Sequence, residues 1–147
     1  MRILFDTSTL VAALIESHPA HNRAFPWLQG VRTGKHIGLI TAHSLAELYA
    51  VLTTLPHQPR ISPSIARQLI EQDIVNVFEV VVLSDADYLA VVNRLSSLGL
   101  IGGAVYDALI VQAASKANVD QVLTLNEKDF RRVHPDLADK IISPQIL

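Results

Sequence analysis

Three acidic residues of this chain lie at the end of an apolar segment or inside one. Asp6 directly follows a short apolar run near the start of the chain, and Glu47 and Asp107 each lie inside a long apolar-rich stretch. A buried carboxylate without a partner is costly, and these stretches carry almost no Lys or Arg. Three such acids that converge suggest a bound cation, and hard cations take oxygen ligands. The pattern therefore predicts metal-assisted phosphate chemistry.

Carboxylates alone are not sufficient to cleave a phosphodiester bond, so the predicted chemistry requires a cation. Cleavage of a phosphodiester needs an attacking water, charge stabilisation on the phosphate and assistance to the leaving oxygen. Clustered carboxylates repel the phosphate, whereas a divalent ion reverses the local charge and lowers the pKa of a bound water. Thr7 and Ser8 follow Asp6 directly and are short enough to hydrogen-bond a carboxylate or a metal-bound water.

Short β-type runs alternate with helical patterns along the chain, which predicts a three-layer α/β/α fold with a mainly parallel central sheet. Thr7 or Ser8 is expected to cap the first helix, and Pro26 is expected to kink or divide the second. Residues 55–60 form the clearest predicted loop. The predicted strands are residues 3–5, 37–40, 77–83 and 122–124, with an edge strand over 140–143. The predicted helices are residues 9–16, about 19–31, 42–54, 63 to about 74, 85 to about 99 and 104–118, with a helical turn over 126–130.

Sites in parallel sheets form beyond the carboxyl ends of the strands. Asp6 occupies that position after the first predicted strand, and Asn126 and Glu127 occupy it after the strand 122–124. Glu47 and Asp107 lie about one turn into helices that begin at the same edge. Four segments can therefore deliver oxygen ligands to one cleft.

Composition narrows the possible classes of protein. The 147 residues lack repeats and linkers, which predicts one domain over residues 1–147, and half of them are hydrophobic. The absence of cysteine removes disulfides and thiolate catalysis, and it fits a reducing cytoplasm. The charge at position 6 comes too early for a signal peptide, and no apolar run approaches membrane-spanning length. The net charge of −2 means that any contact with nucleic acid must be local.

Four stretches of the chain together resemble the PIN-domain family, and within it the small VapC-type toxin ribonucleases. The resemblance implies Mg²⁺- or Mn²⁺-dependent hydrolysis of single-stranded RNA, a homodimer and a cognate antitoxin protein. It matches Asp6, Glu47 and Asp107 to the family's metal-site acids, and Ser8 to the small hydroxyl residue after the first acid. The stretches are Phe5-Asp6-Thr7-Ser8, Ser44-Leu45-Ala46-Glu47-Leu48-Tyr49, Tyr106-Asp107-Ala108-Leu109-Ile110 and residues 123–130.

One position departs from the family pattern. A fourth acid often follows the last threonine-containing strand, which here contains Thr124, but this chain has Asn126 at that place. An asparagine carbonyl can ligate a hard cation but contributes no charge. Glu127 and Asp129 lie close enough in sequence to support the site, although Asp129 is more simply a helix-start residue or a partner of Arg132.

Basic residues follow the last of these motifs. Lys128, Arg131 and Arg132 either contact RNA phosphates beside the cleft or form an ordinary solvated helix end. The pair His18-x-x-His21 suggests a zinc site, but no third ligand is adjacent, and a surface role is the favoured interpretation.

Two other functions fit parts of the pattern. The first is a catalytically weak or inactive binding module for RNA or protein on the same fold, with Asn126 weakening its metal site. The second is an aspartyl-phosphate phosphatase or a receiver domain. Asp6-Thr7-Ser8 lacks the second acid of a phosphatase pair, and the chain lacks the acid pair and matching lysine of a receiver.

Overall fold

A computed structural model describes residues 1–56 and 58–145 of this chain. A five-stranded sheet lies at its centre in the order β3-β2-β1-β4-β5, and every neighbouring pair is parallel. The predicted parallel sheet is therefore confirmed. The predicted loop 55–60 includes His57, which lies outside the described residues. The strands are β1 (Arg2–Phe5), β2 (Ile37–Thr41), β3 (Glu79–Val81), β4 (Gln121–Leu123) and β5 (Ile141–Ile142).

Helices connect the strands and cover both faces of the sheet. A π-helical segment (Leu69–Val75) continues α4, and a 3₁₀ helix (Pro135–Lys140) leads into β5. No helix in the described part of the chain is long and apolar enough to cross a membrane. The helices are α1 (Thr7–Leu14), α2 (His21–Arg32), α3 (Ala42–Thr54), α4 (Pro63–Gln68), α5 (Asp85–Leu98), α6 (Ala104–Lys116) and α7 (Glu127–Val133).

The sheet separates two apolar cores. Ile3 and Phe5 of β1 pack into the core beneath α1, α2 and α3, whereas Leu4 packs into the core beneath α5, α6 and α7. This alternation follows from the two-residue period of a strand. Both sides of β1 are fully buried, which is why its sequence is a continuous apolar run.

Several predicted boundaries differ from those observed. The helix α1 begins at Thr7, so neither Thr7 nor Ser8 is its N-cap, and the N-cap residue Asp6 makes no side-chain capping bond. The helix α2 begins at His21, and Pro26 lies inside it without dividing it. Burial of Trp27 and Leu28 on the same helix offsets the hydrogen bond that the proline removes.

The strand β3 is shorter than predicted, because its first apolar residues belong to the preceding turn. The backbone amides of Val77 and Phe78 both donate to the carbonyl of Ile74, at 3.0 and 2.8 Å. The predicted N-terminal caps of α4 and α5 are present. Ser62 accepts from the amide of Ile65, and Ser84 forms a complete capping box with Asp87.

Candidate functional site

Asp6 is the most buried acid of the candidate site, with an exposed fraction of 4%. It follows β1 directly, and its backbone amide donates to the carbonyl of Leu123 at 3.0 Å, which extends the β1–β4 pairing by one residue. Burial raises the pKa of Asp6, and the hydroxyl hydrogen bonds that it accepts from Ser8 and Thr124 act in the opposite direction. The fold therefore places a carboxylate at the carboxyl end of the central strand.

Two hydroxyl groups orient the Asp6 carboxylate. Ser8 Oγ donates to Asp6 Oδ2 at 2.7 Å, and Thr124 Oγ1 donates to the same oxygen at 2.8 Å. Both hydroxyls are themselves held by main-chain amides, since Thr124 Oγ1 accepts from Asn126 at 3.0 Å and Ser8 Oγ accepts from Leu125 at 3.3 Å. These bonds tie the segment after β4 to the segment after β1 and restrict where the carboxylate can point.

Glu47 lies one turn into α3. Its Oε1 atom is buried and has no hydrogen-bond partner, although His43 Nε2 approaches it to 3.3 Å. Burial raises the pKa of Glu47, the neighbouring His43 lowers it, and the Asp6 charge raises it further. An unsatisfied buried carboxylate oxygen is costly, so this atom is suited to a cationic ligand.

Asp107 lies in the first turn of α6. Burial raises its pKa to about 6, and the charges of Asp6, Asp129 and Glu47 add to the shift, while Arg132 opposes it. A carboxyl group next to other carboxylates resists ionisation because like charges repel. Asp107 therefore resists ionisation partly because Asp6 and Glu47 carry negative charge nearby.

All three acids line a single open cleft. Ser8, Thr7 and the predicted fourth-position residue Asn126 lie on the same cleft. The remaining lining residues are Val11, His18, Val51 and Leu55. The structure therefore brings together four segments that are far apart in sequence, and it lines the cleft with both acidic and apolar side chains.

The donor set suits a hard divalent cation, because the acids supply carboxylate oxygens and their mutual repulsion calls for a positive charge. Glu47 Oε1 is buried and is approached by the His43 ring, which agrees with a preference for positive charge at this atom. Among residues 1–56 and 58–145, no three Asp, Glu or His side chains form a ready-made set of metal ligands.

The residues of α7 divide between two surfaces. Asp129 and Arg132 influence the pKa of Asp107, so both lie near the acidic cleft. Glu127 instead lines a separate cavity together with Arg131, whose Nη2 atom donates to the carbonyl of Ile141 at 2.8 Å. Lys128 is exposed on the same helix.

Buried hydroxyls form a small network beside the cleft, and the Thr7 hydroxyl, which was expected to bond a carboxylate or a metal-bound water, belongs to this network. Thr7 Oγ1 donates to Ser44 Oγ at 3.2 Å, and Thr41 Oγ1 donates to the same atom at 2.9 Å. The Thr41 side chain also caps α3 by accepting from the amide of Ser44. These bonds join the start of α1 to the start of α3, which carries Glu47. The Thr-x-x-Ser spacing at the start of a predicted helix could have indicated the cap.

The two histidines considered for zinc each have a main-chain contact. His18 Nδ1 accepts from the amide of Ala20 at 3.0 Å, and His21 Nδ1 lies 2.9 Å from the carbonyl of Ala12. His18 is half-buried and lines the acidic cleft, a position that sequence analysis did not predict.

Comparison with known proteins supplies a family for this arrangement. A family model described as the PIN domain matches residues 3–134. Ribonuclease VapC40 of Mycobacterium tuberculosis is 34% identical over 128 residues, which are 87% of this chain and 87% of that protein. Ribonuclease VapC27 of the same organism is 32% identical over 111 residues, which are 76% of this chain and 75% of that protein.

Solved structures share the fold at lower identity. FitAcB from Neisseria gonorrhoeae superposes with a TM-score of 0.70 at 20% identity, covering 99% of each chain. VapBC2 from Rickettsia felis, bound to a DNA fragment from its promoter, superposes with a TM-score of 0.68 at 20% identity, covering 99% of this chain and 100% of that one.

Proposed function

This chain belongs to the PIN-domain family, and from that premise we propose that it is a metal-dependent endoribonuclease that hydrolyses single-stranded RNA. The observation that carries the proposal is the convergence of Asp6, Glu47 and Asp107 on one cleft beyond the central strand, with the pKa of each acid raised. The ribonuclease activity named for its relatives VapC27 and VapC40 supports the same reaction class.

Mg²⁺ or Mn²⁺ is the cofactor that this donor set fits. Asp6 and Asp107 would hold the cation, with Glu47 and the Asn126 amide oxygen beside them. When bound, the cation supplies positive charge for the phosphate and lowers the pKa of an attacking water. Ser8 and Thr124 keep Asp6 oriented, so the carboxylate is positioned before the substrate arrives.

The basic residues near the cleft have a supporting role. Arg132 lies close enough to Asp107 to lower its pKa, so its guanidinium can also attract an RNA phosphate. Lys128 is exposed on the same helix and can add a second phosphate contact. Arg131 is held against the carbonyl of Ile141, so we assign it a structural role first.

We further propose that the chain is the toxin of a VapBC-type pair and binds a cognate antitoxin. Its structural neighbours include VapBC and FitAB assemblies. The apolar side of the cleft, formed by Val11, Val51 and Leu55, could be covered by an antitoxin segment that also blocks the acids. The absence of cysteine agrees with a cytoplasmic location.

A homodimer is the assembly that we propose for the free toxin. Apolar side chains of α5 are exposed, since Leu89 is 62% exposed and Val92 is 54% exposed. Ile101, which follows the same helix, is 89% exposed. Apolar side chains that project together from one helix are suited to contact with a second copy.

The fourth position is predicted to limit cation binding. Asn126→Asp adds one negative charge at the cleft, which is worth roughly 1–4 kcal/mol of attraction for a divalent ion at contact distance. We therefore expect tighter Mn²⁺ binding by calorimetric titration and a second ion that binds at lower concentration. Asn126→Ala should reduce cleavage less than Asp107→Ala does. Two equally tight ions in the wild type, or an unchanged affinity in Asn126→Asp, would instead assign the missing charge to Asp129, since Glu127 lines a separate cavity.

The experiment that tests the substrate class compares matched oligonucleotides. The purified chain is incubated with Mn²⁺ and an end-labelled single-stranded RNA, its duplex form and the same sequence as DNA. We expect internal cuts in the single-stranded RNA alone. Equal cleavage of the DNA would contradict ribonuclease specificity, and no cleavage of any substrate would favour the binding-module alternative.

A further inference from the structure

Two aromatic rings lie on the helices that carry Glu47 and Asp107 and have no part in the chemistry described above. His43 and Tyr106 stack with their ring centroids 5.8 Å apart and their planes within 6° of parallel. His43 lies in the first turn of α3, four residues before Glu47, and Tyr106 lies in the first turn of α6, directly before Asp107. The ring pair therefore bridges the two helices that carry these acids.

The Tyr106 ring is open to solvent. The residue is 53% exposed and belongs to neither apolar core, although it sits on a helix whose next turns are almost completely buried. His43 lies parallel to the ring in an offset stack, and about half of the Tyr106 residue stays open to solvent. A large aromatic side chain that is held flat and left uncovered offers a surface for stacking.

We propose that Tyr106, supported by His43, is a stacking platform for one nucleobase of the RNA substrate, a role that rests on the proposed ribonuclease function. Unpaired bases of single-stranded RNA stack readily on Tyr and His rings. A base on Tyr106 would lie close to the cleft, because the Tyr106 ring stacks on His43 and His43 Nε2 lies 3.3 Å from Glu47 Oε1. The platform selects single strands, since the bases of a duplex are already stacked.

Electrostatics gives a reason for such a contact. The cleft is lined by three acids and the chain carries a net charge of −2, so charge attraction to the phosphate backbone is weak away from the bound cation. Base stacking provides binding that does not depend on charge. Tyr106 therefore supplies an attraction that the acidic cleft cannot.

His43 also connects the platform to the acids. Its Nε2 atom lies 3.3 Å from Glu47 Oε1 while its ring faces Tyr106. His43 is thus a positioning residue that holds one side of the platform and one acid of the cleft. Tyr106 acts on the bound nucleotide, so its removal should weaken substrate binding more than it slows the chemical step.

The test uses steady-state cleavage of a short single-stranded RNA. Tyr106→Ala should raise KM by about tenfold or more with kcat nearly unchanged, as expected for the loss of one base–aromatic stack. Tyr106→Phe keeps the ring and should remain within about twofold of the wild type. Tyr49→Ala serves as the matched control, because it removes a tyrosine of similar exposure that lies on α3 and outside the ring pair.

A substrate series extends the test without relying on the variants folding well. An abasic nucleotide is moved through the RNA one position at a time, and one position should raise KM for the wild type by about as much as Tyr106→Ala does. That same substrate should cause no further loss in Tyr106→Ala, as in a double-mutant cycle. Equal KM values for all abasic positions, or wild-type KM in Tyr106→Ala, would overturn the platform.

Different results would contradict the proposed ribonuclease function and the stacking platform. If the wild type does not cleave RNA, the proposed ribonuclease function fails, and the platform is then judged by fluorescence anisotropy with a labelled RNA. Weaker RNA binding by Tyr106→Ala than by Tyr106→Phe would support the platform, and equal binding would overturn it.

Discussion

Asp107→Asn is expected to abolish RNA cleavage while the protein remains folded. The substitution keeps the size of the side chain but removes one anionic ligand from the proposed metal site. Loss of metal-derived charge stabilisation is worth several kcal/mol, so we expect cleavage to fall by at least about 100-fold. The measurement is the rate of single-turnover cleavage of a single-stranded RNA, together with the circular dichroism spectrum of the variant.

The matched control for this substitution is Asp139→Asn. Asp139 is an exposed acid in the 3₁₀ helix before β5, and it does not line the cleft. Its substitution changes the net charge of the protein by the same amount and should leave cleavage within about twofold of the wild type, as for most surface changes. Wild-type cleavage by Asp107→Asn would contradict the assignment of this carboxylate.

A second large effect is expected on the free energy of unfolding in the absence of divalent ions, and it arises from the Asp107 carboxyl group. The pKa of Asp107 is raised to about 6 in the folded protein, whereas an unperturbed Asp has a pKa near 3.9. The folded state therefore holds a proton that the unfolded state releases, and this stabilisation is lost as the pH rises from about 4 through about 6. Discounted for solvent screening, the loss is about 1–2 kcal/mol for this group.

The difference in the free energy of unfolding between the wild type and Asp107→Asn isolates the contribution of the Asp107 carboxyl group. His36 and His134 have pKa values lowered by burial, and their stabilisation increases with pH, so the wild-type profile alone mixes opposing effects. Asp107→Asn lacks the Asp107 titration, and its free energy of unfolding should exceed that of the wild type by a margin that grows between pH 4 and pH 7. Urea denaturation at several pH values, with EDTA present, measures that margin.

Addition of Mn²⁺ should reverse the order of the two proteins. At pH 7 the ion binds the folded wild type through its ionised acids and stabilises it by mass action, whereas the variant has lost a ligand. A margin that does not change with pH would show that the Asp107 carboxyl group titrates normally. Equal stabilisation of both proteins by Mn²⁺ would place the ion elsewhere.

The sequence predicted the sheet and the positions of the acids because both depend on simple physical features. A strand buried on both faces is a continuous apolar run, as in residues 3–5, and the acid that follows it must lie at the edge of the sheet. The caps at Ser62 and Ser84 were also recognisable, because their bonds join residues three apart in sequence.

Features that depend on tertiary contacts could not be predicted. Asp6 is the N-cap residue of α1, but its carboxylate accepts from Thr124, a residue of a distant segment, and makes no capping bond. The stacking of His43 on Tyr106 joins two helices that are far apart in sequence. Local propensity contains no information about either contact.

We propose that the cleft of Asp6, Glu47 and Asp107 hydrolyses RNA with the help of a divalent ion. The most direct test is to strip the wild type with EDTA, measure cleavage of a single-stranded RNA, and then restore Mg²⁺ or Mn²⁺ in steps. Asp107→Asn is treated in parallel. We expect no cleavage by the stripped wild type, recovery that saturates with added ion, and no recovery in Asp107→Asn at the same concentrations. Undiminished cleavage in EDTA, or full recovery of Asp107→Asn, would contradict the proposal.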